Sequence, residues 1–434
     1  MDIELLTIGD ELLLGFTVDT NSAHIARVLA DFGVRVVRRT TVGDDPDHIV
    51  SALNDARERT GAVITTGGLG PTTDDRTHES IARAYHRELV LDETGLSALS
   101  HRWEKRFGKL MPESNRRQFL LPANAHVLRN SQGSAPGTWT EDERGRWVAT
   151  MPGVPREMRA MLAESIVPRI KERLQRDGRD ENARTVIRSR TLRTTGISES
   201  AVADHLAEFR RAVHDIPLAY LPGLDGVDLR LTVSDLSAAA ADDALARASD
   251  TIRDRVGRWI YGENDDDLAA LVLTELGQRA HKIAVAESCT GGMLGARLTA
   301  VPGSSAHVLG GVIAYDNRIK TEQLGVPAAL ITEHGAVSES VARAMATGVR
   351  ERLGADVGVG VTGVAGPSGG SPEKPVGTVW IAVDVQGQVH AVKPVLPGDR
   401  NEIRHRATQI ALERVRRVYA GEASLPGWTV SADR

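Results

Sequence analysis

Short apolar runs alternate with amphipathic stretches over most of the chain. Ile3 to Ile8, Val34 to Thr40 and Ala62 to Thr66 are too short for helices and rich in strand formers, so each reads as a strand. Between them Ile25, Val28 and Leu29 recur at helical spacing, which predicts a helix from about Ser22 to Asp31, capped by Asn21 and closed by Gly33. Asp45 and Pro46 supply an N-cap and a first-turn proline for a second helix ending near Arg59. Arg156 to Arg176 then carries Met158, Met161, Leu162, Ile166 and Ile170 at helical spacing. Strands alternating with helices argue for a mostly parallel sheet, which places ligands beyond the carboxyl ends of its strands.

The pattern changes after the polar, turn-rich stretch from Arg176 to Arg184. Strand-like runs at Thr185 to Leu192, Ala219 to Pro222 and Val227 to Val233, a helix from Ser198 to about Arg211 and a longer one through Ala240 to Val256 make a small α+β module. Its expected role is spacing or pairing. Gly223-Leu224-Asp225-Gly226 has the GxxG spacing with which KH domains clamp a nucleic-acid backbone, but its inner residues are leucine and aspartate, and a hairpin turn accounts for it better.

From Asp267, which caps a helix through Leu268, Leu271, Val272 and Leu276, the alternation resumes. Ile283 to Ala286 is a buried-type strand, Val308 to Tyr315 an extended run, and Asn317 opens a helix containing Lys320. Ser338 caps a helix with Val341, Met345 and Val349 on one side. Ala355 to Thr362, Val376 to Val385 and Gln388 to Val395 are strands, and Asp399 with Glu402 forms a capping box for the last helix. The expected fold class is α/β: two three-layer α/β/α domains, over 1–170 and 263–420, joined by the small α+β module over 171–260, with a tail over 421–434.

Composition narrows the class. A chain of 434 residues exceeds one compact core, and 41% hydrophobic with 26% charged residues is ordinary for a globular protein. A formal net charge of -5 gives no global field for nucleic acid or acidic membranes, so nucleic acid is disfavoured as a partner. Cys289 is the sole cysteine, so no intramolecular disulfide forms, and no apolar run is long enough to span a bilayer. The start, MDIELLTIGDELLLG, lacks the layout of a signal peptide, and a cytoplasmic protein with no membrane partner is expected.

Candidate chemistry falls at the ends of predicted strands. After the third strand, Gly67, Gly68 and Gly70 leave backbone free to approach a phosphate, Thr72 offers a hydroxyl, and Asp74 and Asp75 could hold a divalent cation. Asp10 and Glu11, just past the first strand, complete the candidate metal set. The same aspartates would equally complement the dipole of the following helix. At Glu287-Ser288-Cys289-Thr290-Gly291-Gly292 a strand turns into a helix whose first N–H groups would face an anion. Tyr315 and Lys320 leave one strand-helix junction together, and a serine meeting them would be a nucleophile activated by a lysine of lowered pKa.

GDELL, TGGLGPTTDD, NRRQ at Asn115 to Gln118, NSQGSAPG and MPGVPREM, then AESCTGG, GGVIAYDNRIK, EHGAVS, TGVAGPSGG and EKPVGTVW, in this order, resemble the competence/damage-inducible CinA family over most of the chain. The resemblance implies an N-terminal module similar to molybdopterin-binding proteins. It implies ADP-ribose pyrophosphatase activity there, giving AMP and ribose 5-phosphate, with a divalent metal (magnesium, manganese or cobalt) and, in some members, potassium. For the C-terminal domain it implies deamidation of nicotinamide mononucleotide (NMN) without a cofactor, in pyridine-nucleotide salvage, and a homodimer is expected. Carried onto this sequence, the catalytic set is a serine with Tyr315 and Lys320; Ser305 is the first choice and Ser288 the second. Thr290, Gly291 and Gly292 would take the NMN phosphate, Thr362, Gly363 and Gly366 would lie by the substrate, and Arg400 or Arg404 could reach phosphate. A DNA-uptake binding protein and a pterin-binding scaffold without hydrolysis stand as alternatives.

Overall fold

The computed structural model describes residues 1–176, 185–207 and 216–422. The predicted helix end at Arg211, most of the polar boundary before Thr185 and the tail beyond 422 lie outside them. The chain divides into two compact units, Met1–Arg188 with Val233–Ala244, and Ser189–Thr232 with Leu245–Arg434. Among the described residues no helix is long and apolar enough to cross a membrane.

In the first unit β1 (Asp2–Ile8), β2 (Arg35–Val42) and β3 (Ala62–Thr66) pair in parallel. The pattern reading stops short of the other strands here. β4 (Leu89–Leu91) and β5 (Leu120–Pro122) form a separate ribbon, whereas β6 (His126–Leu128), β7 (Gly137–Glu141) and β8 (Trp147–Met151) extend the sheet in the order β2-β1-β3-β8-β7-β6. β8 is parallel to β3 and β7 antiparallel to β8, so the sheet is mixed. Alternate residues bury on opposite faces. Ile3, Leu5 and Ile64 join Ile25, Leu29, Met158 and Ile166, while Ile8, Val63 and Val148 join Ile49, Leu53 and Ile81. Helices α1 (Asp10–Leu13), α2 (Thr20–Ala30), α3 (Pro46–Thr60) and α4 (Thr77–Ala84) follow the first three strands; α5 (Glu93–Phe107), α6 (Pro155–Met161) and α7 (Val167–Arg176) complete the helices. The cap of α2 is Asp19 and not Asn21. Asn21 lies inside the first turn, and its amide nitrogen donates to Thr66 Oγ1 at 3.2 Å and to the Gly153 carbonyl at 2.7 Å.

The middle module pairs β9 (Val186–Thr194), β10 (Leu218–Pro222), β11 (Val227–Leu236) and β12 (Ile260–Glu263) in the order β10-β11-β9-β12, with α8 (Glu199–His205) and α9 (Ala238–Val256). Pro222 opposes Val227, so Gly223 to Gly226 is a hairpin loop.

In the C-terminal domain the sheet order is β14-β13-β15-β16-β17, with β13 (Ile283–Glu287), β14 (Val308–Ile313), β15 (Val357–Gly363), β16 (Val379–Val385) and β17 (Gln388–Val392). The first three are parallel. Its helices are α10 (Leu268–Gln278), α11 (Met293–Thr299), α12 (Asn317–Leu324), α13 (Ala328–His334), α14 (Glu339–Leu353) and α15 (Arg400–Tyr419). Ile283, Val285, Val357, Val359 and Val361 pack with Val272, Ile403 and Ile410; Ala284 and Ala286 face Leu324, Val341, Met345 and Val349 on the other side. Both end domains are therefore three-layer α/β/α.

The alternation Val357-Gly358-Val359-Gly360 has a steric reason. The valines fill one core, and a Cβ on Gly360 would fall 2.4 Å from the Ala342 carbonyl oxygen of α14. Gly360→Ala removes a glycine's entropic handicap, about 0.5–1 kcal/mol, but forces backbone apart at a cost of about 1–3 kcal/mol. The clash wins: the variant is expected to unfold at lower urea than wild type, and an equal or higher midpoint would refute this packing account.

Candidate active site

The first unit has a cavity of about 480 Å³ at the carboxyl edge of its parallel strands, lined by Glu11, Asp44, Gly67, Gly68, Gly70, Asp74, Asp75 and Glu157 among others. Packing explains the glycines: a Cβ would fall 2.1 Å from the Ile8 carbonyl oxygen at Gly67, 2.3 Å from Thr77 Oγ1 at Gly68, and 2.4 Å from the Asp75 carboxylate at Gly70. Asp75, expected as a metal ligand, instead closes its own loop, accepting from Gly70 N–H at 2.6 Å, Thr72 N–H at 2.9 Å and the Thr72 hydroxyl. Thr72, expected to offer a hydroxyl to phosphate, thereby gives its hydroxyl proton to the loop.

Asp10 sits at the lip, exchanging backbone-to-carboxylate bonds with Asp44 at 3.1 and 3.3 Å. Asp44 escaped the sequence reading, although Val42-Gly43-Asp44 ends β2 as Ile8-Gly9-Asp10 ends β1. Burial first, then the charges of Asp10, Glu11 and Asp74, push its carboxyl above the usual range, against the Asp10 N–H that lowers it. Among the described residues no group of three or more His, Cys, Asp or Glu side chains is arranged to hold a metal ion.

The C-terminal site begins where β13 ends. Ser288 N–H donates to the Val361 carbonyl at 2.9 Å and Ala314 N–H to the Glu287 carbonyl at 2.7 Å, so the turn starts pinned between β15 and β14. Gly291 and Gly292 then take φ of 61° and 98°, left-handed conformations that favour glycine. Glu287, 1% exposed, folds its carboxylate under the helix that follows: Oε2 accepts from Gly292 N–H at 2.9 Å and Leu294 N–H at 3.1 Å, Oε1 from Gly295 N–H at 2.8 Å. Of the expected phosphate site at Thr290 to Gly292, the Gly292 N–H is thus taken by an internal acceptor. Thr290 is buried, and its hydroxyl has no hydrogen-bond partner among the described residues. Arg404, expected to reach a phosphate, donates instead to the carbonyls of Cys289 at 3.2 Å and Thr290 at 2.9 Å.

Ser288, Tyr315, Asn317, Lys320, Thr362, Gly363, Gly366, Ser368 and Arg400 line one cavity of about 270 Å³. Lys320 is 1% exposed, and its Nζ donates to the carbonyls of Ala314 at 2.8 Å and Tyr315 at 3.1 Å. Burial pushes its pKa below the ordinary lysine value, opposed by Asp316 and Cys289. A neutral amine keeps both of these bonds and has a lone pair to spare. Tyr315 stands at the rim, 63% exposed; Arg400 donates to its hydroxyl at 3.1 Å and to the Gly366 carbonyl at 2.6 Å. The Thr362 hydroxyl donates to the Ala336 carbonyl at 2.9 Å. Cys289 also borders the cavity, but burial pushes its thiol up to about 12, leaving it protonated near neutral pH.

Ser305 does not meet this group. It lies in the turn before β14, and the Ile283 N–H bond to the His307 carbonyl at 2.9 Å ties that turn to the start of β13. Parallel strands keep their starts at one edge and their ends at the other, so the length of β13, roughly 16 Å, separates Ser305 from the Ser288 end. Of the two candidate serines, only Ser288 shares a cavity with Lys320. Asn317, read from the sequence only as a helix start, and Ser368, absent from that reading, sit at the N-terminal end of a helix and in a glycine-rich loop that carry no periodic signal of their own.

Three family profiles match the chain: "Probable molybdopterin binding domain" over residues 4–172, "Damage-inducible protein CinA KH domain" over 189–262, and "CinA C-terminal domain" over 265–419. A CinA-like protein of Gemmatimonas aurantiaca is 60% identical, covering 99% of each chain, and one of Gloeobacter violaceus is 44% identical over 95% of this chain and 96% of its own. A solved competence/damage inducible protein from Agrobacterium tumefaciens is 40% identical, covering 34% of this chain and 92% of that one with a TM-score of 0.34.

Three backbone N–H groups depend on Glu287. Glu287→Ala strips all three of their acceptor and is expected to destabilise the protein by about 3 kcal/mol or more, with Glu287→Gln, which keeps one acceptor oxygen, falling between. Urea unfolding followed by circular dichroism decides it; an alanine variant as stable as wild type would mean the carboxylate is dispensable.

Proposed function

The chain belongs to the CinA family, and on that premise we propose that its C-terminal domain is a serine-lysine amidohydrolase that converts NMN to nicotinic acid mononucleotide and ammonia. The observation that carries this is the single cavity holding Ser288 beside a buried, pKa-lowered Lys320 whose Nζ is oriented by two carbonyls. Lys320 takes the proton of Ser288 as its Oγ bonds to the carboxamide carbon. The C–N bond then breaks, the nitrogen leaving as ammonia with the proton Lys320 returns. Water opens the acyl ester by the same exchange, releasing the acid and restoring the serine. Arg400, with Asn317 and Ser368, offers donors toward the phosphate, and Tyr315 flanks the substrate at the rim. A cavity of about 270 Å³ is at the small end for ligand sites and suits a mononucleotide better than a dinucleotide.

For the N-terminal domain we infer hydrolysis of ADP-ribose to AMP and ribose 5-phosphate. The cavity offers the hard oxygen donors a divalent cation takes, and burial, then the charges of Asp10, Glu11 and Asp74, raise the proton affinity of Asp44. Glu11, Asp44 and Asp74 would offer it oxygens from the cavity wall, with Asp10 at the lip and Asp75 retained by its loop, but they are not gathered into a three-ligand cluster. When bound, the ion neutralises the diphosphate and lowers the pKa of a bound water.

Purified protein is expected to release ammonia from NMN, with Lys320→Ala lowering kcat about 10²- to 10⁴-fold and Ser288→Ala abolishing turnover. Ser305→Ala should stay near wild type. Since the neutral amine is the base, kcat/KM should rise with pH to a plateau whose apparent pKa lies below 10.5. A silent Ser288→Ala with an inactive Ser305→Ala would sink the assignment. Independently, AMP release from ADP-ribose should require added manganese or magnesium and fall in Asp44→Asn. Hydrolysis unaffected by chelator would overturn the metal-dependent route.

A further inference from the structure

We infer that the Gly223–Gly226 turn of the middle module is a positioning element for the amidase turn and not a nucleic-acid clamp; this rests on the serine-lysine assignment above. The turn is rigidly mounted. Gly223 N–H donates to the Gly226 carbonyl at 2.8 Å, Thr194 Oγ1 donates to the Val227 carbonyl at 2.6 Å, and a Cβ on Gly226 would fall 1.9 Å from the Thr194 carbonyl oxygen. Asp225 therefore projects from a fixed base. Its Oδ1 lies 2.7 Å from His405 Nε2 and 3.8 Å from Arg297 Nη1, and Arg297 also donates to Asp267 Oδ2 at 2.9 Å.

These two partners are the helices that hold the Ser288 turn. His405 follows Arg404 on α15, and Arg404 grips the carbonyls of Cys289 and Thr290. Arg297 is on α11, whose first N–H groups are held by Glu287. Asp225 thus bridges both supports of the turn that carries Ser288. A GxxG clamp for nucleic acid needs open backbone and positive charge facing phosphates. Here a carboxylate projects from the loop, with histidine and arginine already engaged around it.

The test uses the full chain. Asp225→Ala is expected to lower kcat for NMN about 2- to 30-fold while KM stays within about twofold. Asp225→Asn, whose side-chain oxygen still accepts from His405, should recover most of the rate. The double variant Asp225→Ala/His405→Ala should be no worse than the poorer single one, as for a coupled pair. Hydrogen exchange, read without substrate, should show amides 288–296 less protected in Asp225→Ala. Unchanged exchange and kcat in Asp225→Ala would overturn the inference. Wild-type protein that releases no ammonia from NMN would sink the serine-lysine assignment, while exchange would still decide the docking. Single-stranded RNA binding that is lost on Gly223→Asp would also overturn the inference, assigning the turn to nucleic acid.

Discussion

The buried Glu287 carboxylate is the constraint around which the C-terminal site is arranged. A charge 1% exposed is tolerable only when its oxygens are fully engaged, and here three N–H groups of the next helix engage them. The consequence is geometric. The chain must leave β13, reverse through two left-handed glycines and return its N–H groups to the carboxylate, which fixes Ser288 at the carboxyl edge between β14 and β15. The feature that at first suggests an anion-binding turn is partly occupied from within, and Arg400 lines the same cavity with its guanidinium donating to the Tyr315 hydroxyl at the rim.

Helix α15 converts that local constraint into a wider frame. Within its first two turns Arg400 ties Tyr315 to the Gly366 loop, Arg404 ties down the Cys289-Thr290 carbonyls, and His405 meets Asp225. Asp399 and Glu402 start the helix with a complete capping box, so these side chains leave a defined backbone. Lys320 is supported differently: it is enclosed by its own strand-helix junction and held by that junction's carbonyls.

The N-terminal cavity follows the opposite logic. Its glycine loop is satisfied internally by Asp75 and Thr72, whereas burial, together with the charges of Asp10, Glu11 and Asp74, makes Asp44 costly to ionise at the strand ends. One site is preorganised by its own charges. The other crowds carboxylates at one sheet edge around a half-buried Asp44.

The α/β class, and the strand ends at which the candidate side chains sit, are legible in the sequence. Apolar runs at β1, β3, β13 and β15, helix caps such as Asp45, Asp267, Ser338 and Asp399, and the position of Ser288, Tyr315 and Lys320 just past strand ends all follow from local pattern, because periodicity and capping act over a few residues. The short strands from β4 to β8 were not legible, since three- to five-residue segments carry too little alternation and are selected by their sheet neighbours. Only the tertiary structure could separate Ser288 from Ser305, turn Asp75 and Arg404 from ligand-binding into loop-holding residues, and bring Asp44 to Asp10 or Asp225 to His405. Each of those outcomes depends on which strand ends share an edge, or on which buried donor most needs an acceptor, and both are decided by parts of the chain far apart in sequence.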